Sequence, residues 1–100
     1  MAQSVTITLV LTLKPEAVAG FSTGLKEMLG DTKKFPGCLG IRVLKNKADP
    51  NQLIFIEEWQ SEDDYGKYIA WRTGRGDMDT MASALSAPPQ MDVWPTVVAS

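Results

Sequence analysis

The sequence contains no histidine. That removes the only side chain whose unperturbed pKa lies between pH 5 and 8. Mechanisms built on a histidine base, Ser-His-Asp and Cys-His alike, are closed to this chain. A His-ligated haem is excluded with them. A structural zinc site would have only Cys38 and carboxylates to draw on. Cysteine is scarce as well: a lone Cys38 cannot form an intramolecular disulfide, which fits a reducing, cytoplasmic setting. Neither sign of charge dominates. A net charge of −2 gives no electrostatic case for nucleic acid or an anionic membrane as partner. No run approaches the roughly 18 apolar residues of a membrane span. Met1-Ala2-Gln3-Ser4-Val5 has no basic region and no long apolar core, so no signal peptide is expected.

What is present is ordinary for a globular chain: 44% hydrophobic and 22% charged residues. A length of 100 residues predicts one domain, 1–100, with a small core. Domains of this size often gain stability by associating.

The richest stretch runs from Ile54 to Arg72. Ile54, Phe55 and Ile56 favour a strand. Ser61 is a good N-cap, and Asp64 three residues on completes a Ser-x-x-Asp capping pattern. Glu62, Asp63 and Asp64 place negative charge at the positive end of the helix dipole. Tyr65, Tyr68, Ile69 and Arg72 then share one helical face, with Trp71 beside Tyr68. The bland reading is a buried helix face. The sharper one is a pocket, because buried Tyr and Trp need partners for their polar tips.

Around this stretch the chain alternates strand and helix signals. Ser4 to Leu13 puts Val5, Ile7, Leu9, Leu11 and Leu13 on one face and Thr6, Thr8 and Thr12 on the other. Lys14-Pro15-Glu16 opens a helix expected to end near Gly30-Asp31. Phe35-Pro36-Gly37 is a turn signal, and a strand from Cys38 to Lys47 follows. Arg42 faces away from Leu39, Ile41 and Val43, and becomes an anion-binding candidate if that face lines a cavity. Ala48 to Gln52 reads as a hairpin loop. The third strand, about Gln52 to Gln60, is apolar on both faces at its start. At least one of Glu57 and Glu58 must then point where a carboxylate needs a partner. Asp77 can cap a short third helix whose Met78, Met81, Ala82 and Leu85 suggest core packing. Met91 to Ala99 is the last strand, with Pro95 marking an edge or a kink.

The order β-α-β-β-α-(α)-β is the ferredoxin-like split βαβ arrangement, an α+β fold with helices on one face of an antiparallel sheet. One chain has no spare element for the other face, and a second copy is the simplest cover.

At Glu57-x-Trp59-x-Ser61-x-Asp63 the sequence resembles the antibiotic biosynthesis monooxygenase family. Lys14-Pro15, Phe35-Pro36-Gly37 and Pro88-Pro89 extend the likeness over most of the chain. The resemblance implies a dimeric α+β barrel. The family usually carries a histidine on the second helix, nine residues after the Trp; here that position is Tyr68. Haem-degrading relatives use an Asn, Trp and His set, which this chain cannot supply. Other relatives look like cofactor-free oxygenases of polycyclic phenols, or resemble quinol oxidases.

Two functions follow as expectations. One is a cofactor-independent monooxygenase acting on an aromatic, polyketide-type or quinol metabolite. In it Tyr68, Arg72 and Glu58 (or Glu57) are catalytic, and Arg42, Trp59, Tyr65 and Trp71 bind substrate. Burial would have to raise the glutamate's pKa for it to serve as a base. The other is a non-catalytic module that holds a small hydrophobic ligand in the same aromatic slot. A wholly structural role, with a Glu paired to Arg42 or Arg72 and the Trp residues as core, is a third reading.

Overall fold

A computed structural model describes residues 4–100. The reading of the first three residues as carrying no leader falls outside them. Four strands, β1 (Val5–Thr12), β2 (Cys38–Lys45), β3 (Gln52–Trp59) and β4 (Gln90–Trp94), form one sheet in the order β2-β3-β1-β4. Each neighbouring pair is antiparallel. Three α-helices complete the chain: α1 (Val18–Lys34), α2 (Glu62–Gly74) and α3 (Asp77–Ser83). This is the expected ferredoxin-like α+β architecture.

The strand period of two sorts the side chains. Val5, Ile7 and Leu11 of β1 and Phe55, Glu57 and Trp59 of β3 point inward and are buried. The outer face holds Thr6, Thr8 and Val10 opposite Glu58, Ile56 and Ile54. Arg42 pairs with Ile56 and is exposed on that outer face. Leu44 and Trp94 are also exposed there.

Several boundaries differ from the sequence reading. Helix α1 does not stop at Gly30-Asp31 but continues to Lys34. Gly30 is tolerated mid-helix, and the helix ends where Phe35 must be extended ahead of Pro36. Strand β2 ends at Lys45 rather than Lys47. The last strand runs only to Trp94, because Pro95 has no N–H to donate to the ladder. Val97 and Val98 are left 77% and 95% exposed instead of paired.

The start of α2 is as the sequence predicts. Ser61 is extended, and its hydroxyl accepts from the Asp64 N–H at 3.1 Å. Packed against this start, Gly37 of the turn before β2 adopts φ +95°, and its carbonyl accepts from Gln60 N at 2.7 Å. A Cβ there would lie 2.6 Å from the Asp64 side chain, so glycine is required. No helix of the described residues is long and apolar enough to cross a membrane.

Candidate functional site

Helix α1 buries only one side chain fully, that of Thr32, and α3 buries none. The helices therefore do not fill the space over the sheet. A cavity of about 220 Å³ remains between them. The sheet contributes Leu9, Ile41, Phe55, Glu57 and Met91; α2 contributes Tyr65, Tyr68, Ile69 and Arg72. Met28 and Thr32 of α1 and Asp77, Met78 and Met81 of α3 close it. A second, broader space of about 470 Å³ lies between α1 and α3 and opens to solvent. Arg72, Asp77, Met28 and Met81 line both, so one layer of side chains separates them. The smaller cavity is the one that Glu57, Tyr65 and Tyr68 line.

Glu57 sits in the second strand from the edge, between Ile7 of β1 and Ile41 of β2. Its apolar surroundings are thus set by register. Trp59, two residues on and on the same face, donates its indole N–H to Glu57 Oε1 at 3.1 Å. No fully buried side-chain N or O among the described residues lacks a partner. Oε2 makes no hydrogen bond, so it is open to the cavity that Glu57 lines. Burial holds the carboxyl above the usual glutamate range, against the opposing pull of the Trp59 bond and the Arg72 charge.

Across the cavity Tyr68, Thr32 and Arg72 form one network. The Tyr68 hydroxyl lies 2.8 Å from Thr32 Oγ1. Arg72 donates from Nε to Tyr68 at 2.9 Å and from Nη2 to Thr32 Oγ1 at 3.1 Å. Nη2 also donates to the Met28 carbonyl at 3.0 Å, and Nη1 to Asp77 Oδ2 at 3.0 Å. Thr32 donates to the same Met28 carbonyl at 3.0 Å. With that proton used, the Tyr68 proton goes to Thr32, and Tyr68 accepts from Arg72. Of the five N–H donors of a guanidinium, four are committed and one on Nη1 is left. Burial opposes the charge on Arg72, yet the bonds to Tyr68 and Asp77 outweigh it and raise its pKa.

Tyr65 lies beside Glu57 and donates to Met91 Sδ at 3.4 Å. Burial, then the charges of Glu57 and Tyr68, push its phenol well above the ordinary tyrosine range. It stays protonated. Burial likewise raises the thiol of half-buried Cys38, against a backbone bond from Gly40. It is not a thiolate nucleophile at neutral pH. Among the described residues no group of three His, Cys, Asp or Glu is placed to hold a metal ion.

Of the residues singled out from sequence, the structure brings Tyr65, Tyr68 and Arg72 into one cavity. Trp59 is fully buried behind them, its ring 4.9 Å from that of Tyr68. Trp71 is half-buried outside the cavity, with the Arg72 and Arg75 guanidinium carbons 4.9 and 4.7 Å from its ring. Glu58 and Arg42 stand apart on the outer sheet face, where Glu58 accepts from Thr6 at 2.6 Å. The inward carboxylate is Glu57. Met78 and Met81, expected as core, are cavity walls instead, because α3 covers the sheet only partly. The sequence does not mark Thr32 or Asp77 as site residues: Thr32 is placed there by long-range contact with Arg72, and Asp77 by the turn at Gly76.

Sheet order and one-sided helices define a ferredoxin-like α+β protein, with a partly open cavity lined by Phe55, Tyr65 and Tyr68 between sheet and helices. Residues 4–72 match the antibiotic biosynthesis monooxygenase family, and the chain belongs to it. No curated protein matches it in sequence. Among solved structures, a conserved protein from Methanosarcina mazei Go1 is 20% identical, covers 95% of this chain and 94% of its own, and superposes with a TM-score of 0.86. Rv0793 from Mycobacterium tuberculosis is 14% identical, with coverage of 97% and 98% and a TM-score of 0.84. A variant of SnoaB, a cofactor-independent oxygenase from Streptomyces nogalater, is 16% identical, with coverage of 99% and 97% and a TM-score of 0.82. At these identities the likeness is one of fold.

Proposed function

We propose that the protein is a cofactor-independent oxygenase of a small phenol or quinol, with Glu57 as the base. The observation that carries this is Glu57 itself: a buried carboxylate with a raised pKa and one oxygen open to an apolar cavity. Such a group takes a proton from a phenol without metal or imidazole. The phenolate formed is electron-rich, and the cavity excludes the water that would otherwise stabilise it. It passes an electron to dioxygen, and the two radicals join at the ring carbon. Loss of water leaves a quinone. From a phenol, one oxygen atom ends in the new carbonyl and the other leaves as water with the phenolic proton and the ring hydrogen. From a quinol, whose second oxygen is already in place, two electrons and both hydroxyl protons pass to dioxygen and leave the quinone and hydrogen peroxide. The remaining Nη1 hydrogen of Arg72 stabilises the anion. Tyr68 holds Arg72 in place, and Tyr65 and Phe55 form the walls.

A volume of about 220 Å³ lies below the roughly 300–1,000 Å³ of sites for drug-sized ligands. It favours one or two fused rings over the three or four of a polycyclic substrate. The family relationship and the oxygenase activity of SnoaB support the reaction class.

The outer sheet face supports a homodimer. Leu44 and Trp94 are exposed beside half-buried Val10, Ile54 and Ile56, and no element of the described chain covers them. A second copy of the same face is the simplest cover.

A second reading, ligand binding without turnover, is favoured by one feature. Four Arg72 donors and the Tyr68 proton are already spent inside the protein. The two readings separate on oxygen uptake with 1-naphthol and 1,4-naphthohydroquinone. Turnover that Glu57→Gln abolishes in the folded protein supports the oxygenase. Saturable binding of 1-naphthol without uptake supports the binding module.

A further inference from the structure

We propose that Asp77, the first residue of α3, is a positioning residue that keeps Glu57 and Arg72 apart. It fixes Arg72 against the Tyr68 wall and so leaves Glu57 unpaired. The catalytic meaning of this rests on Glu57 being the base; the geometry does not.

A buried carboxylate and a buried guanidinium lining one small cavity attract each other strongly. Glu57 already feels the pull of Arg72. Yet no bond joins them, because every committed donor of Arg72 is turned elsewhere. Three of those four partners, Tyr68, Thr32 and the Met28 carbonyl, are neutral. Asp77 is the only anion among them, at 3.0 Å from Nη1. The same Oδ2 lies 3.5 Å from Arg75 Nε, a second ion pair. Two cations thus share one carboxylate at the point where α2 gives way to α3. Gly76, at φ +83°, makes the reversal that brings Asp77 back over Arg72.

The groups able to set the charge on Glu57 are few. Helix α2 presents Tyr65, Tyr68 and Arg72, α3 presents Asp77, and β2 brings Cys38. What β1, β4 and α1 bring to the cavity is uncharged: Leu9, Met91, Met28 and Thr32. With Asp77 neutral, Glu57 is the remaining carboxylate of this cavity for Arg72 to turn to; Glu27 and Asp31 line only the neighbouring space, and an Arg72 that turned to them would leave the Glu57 midpoint unchanged. A base paired to a guanidinium is a poor base, so an oxygenase of this design needs Asp77 for its pH range as well as its packing.

The test is a titration that needs no turnover. Carbon-13 labelled glutamate, with Glu57→Gln as the assignment control, gives the Glu57 carboxyl shift against pH. In Asp77→Asn the Glu57 midpoint should fall by about one pH unit or more, the size expected when an opposite charge is no longer neutralised. In Asp77→Glu it should return towards the native value. If Asp77→Asn fails to fold, Asp77→Ser is read in its place. An unchanged Glu57 midpoint in a folded Asn or Ser variant overturns the proposal. Oxygen uptake with 1,4-naphthohydroquinone is followed on the same samples, and the acid limb of its pH profile should move with the titration. A native protein that shows the Glu57 shift but no uptake rejects the oxygenase and keeps the role of Asp77.

Discussion

Thr32 of α1 and Tyr68 of α2 meet through their hydroxyls at 2.8 Å, in a setting where both side chains are buried. Thr32 is the only fully buried side chain of its helix. The two long helices are therefore joined across the cavity by a polar contact rather than an apolar seam. Arg72 completes it by donating to both.

Tyr68→Phe removes the acceptor of Arg72 Nε and the partner of Thr32 together. Buried donors left unpaired cost about 1–3 kcal/mol, more at a charged group. Urea unfolding should show a loss of about 2–3 kcal/mol with an unchanged m-value.

Arg72→Ala goes further, because it strips Asp77, Tyr68 and Thr32 at once. Breaking a buried pair costs about 3–5 kcal/mol. Asp77 keeps a side-chain exposure of 33%, so the loss should fall near the lower end. Thermal unfolding reads it directly.

Glu57 gives stability a pH slope of definite sign. Its folded pKa is raised above the ordinary value of about 4.3, so between the two the folded protein holds the extra proton. Stability from this group is full below the unfolded pKa and is lost as pH rises through the folded one. Glu57→Gln keeps an acceptor for the Trp59 N–H but cannot titrate. Denaturation series from pH 4 upward should show the native decline flattened in the variant.

Two glycines should respond in opposite ways. Gly37→Ala forces a Cβ onto φ +95° and against Asp64 at 2.6 Å. A loss of about 1–3 kcal/mol is expected, and Tm should fall by several degrees. Gly24→Ala, inside α1 with nothing within 4 Å of the new methyl, should gain about 0.5–1 kcal/mol.

The uncovered sheet face gives a test of assembly. Ile56→Lys places a charge at its centre, opposite Thr8 and Arg42. Native mass spectrometry should show a dimer for the native chain and a monomer for the variant. A native monomer at micromolar concentration would count against the paired sheets.

The fold was legible because its signals are local. Alternation in β1, the Ser61 cap and the turn at Phe35-Pro36-Gly37 each act within a few residues, and each is found where the pattern put it. The face of α2 was legible for the same reason, since helical spacing alone puts Tyr65, Tyr68 and Arg72 together. Glu57 and Glu58 were not separable. Both faces of β3 begin apolar, and only the pairing of Glu57 with Ile7 and Ile41 decides which carboxylate enters the cavity. Thr32 was hidden by the reading that ended α1 at Asp31, one residue too early to include it. Asp77 read as a helix cap, and its bond to Arg72 depends on the turn at Gly76, which spacing does not reveal.

Strand β3 and helix α2 are joined by only Gln60 and Ser61, yet they supply six of the residues lining the cavity: Phe55, Glu57, Tyr65, Tyr68, Ile69 and Arg72. The site is thus inherited largely as one short cassette. Lineages that exchange or mutate this stretch alone can change what the cavity recognises while the remaining strands keep their register.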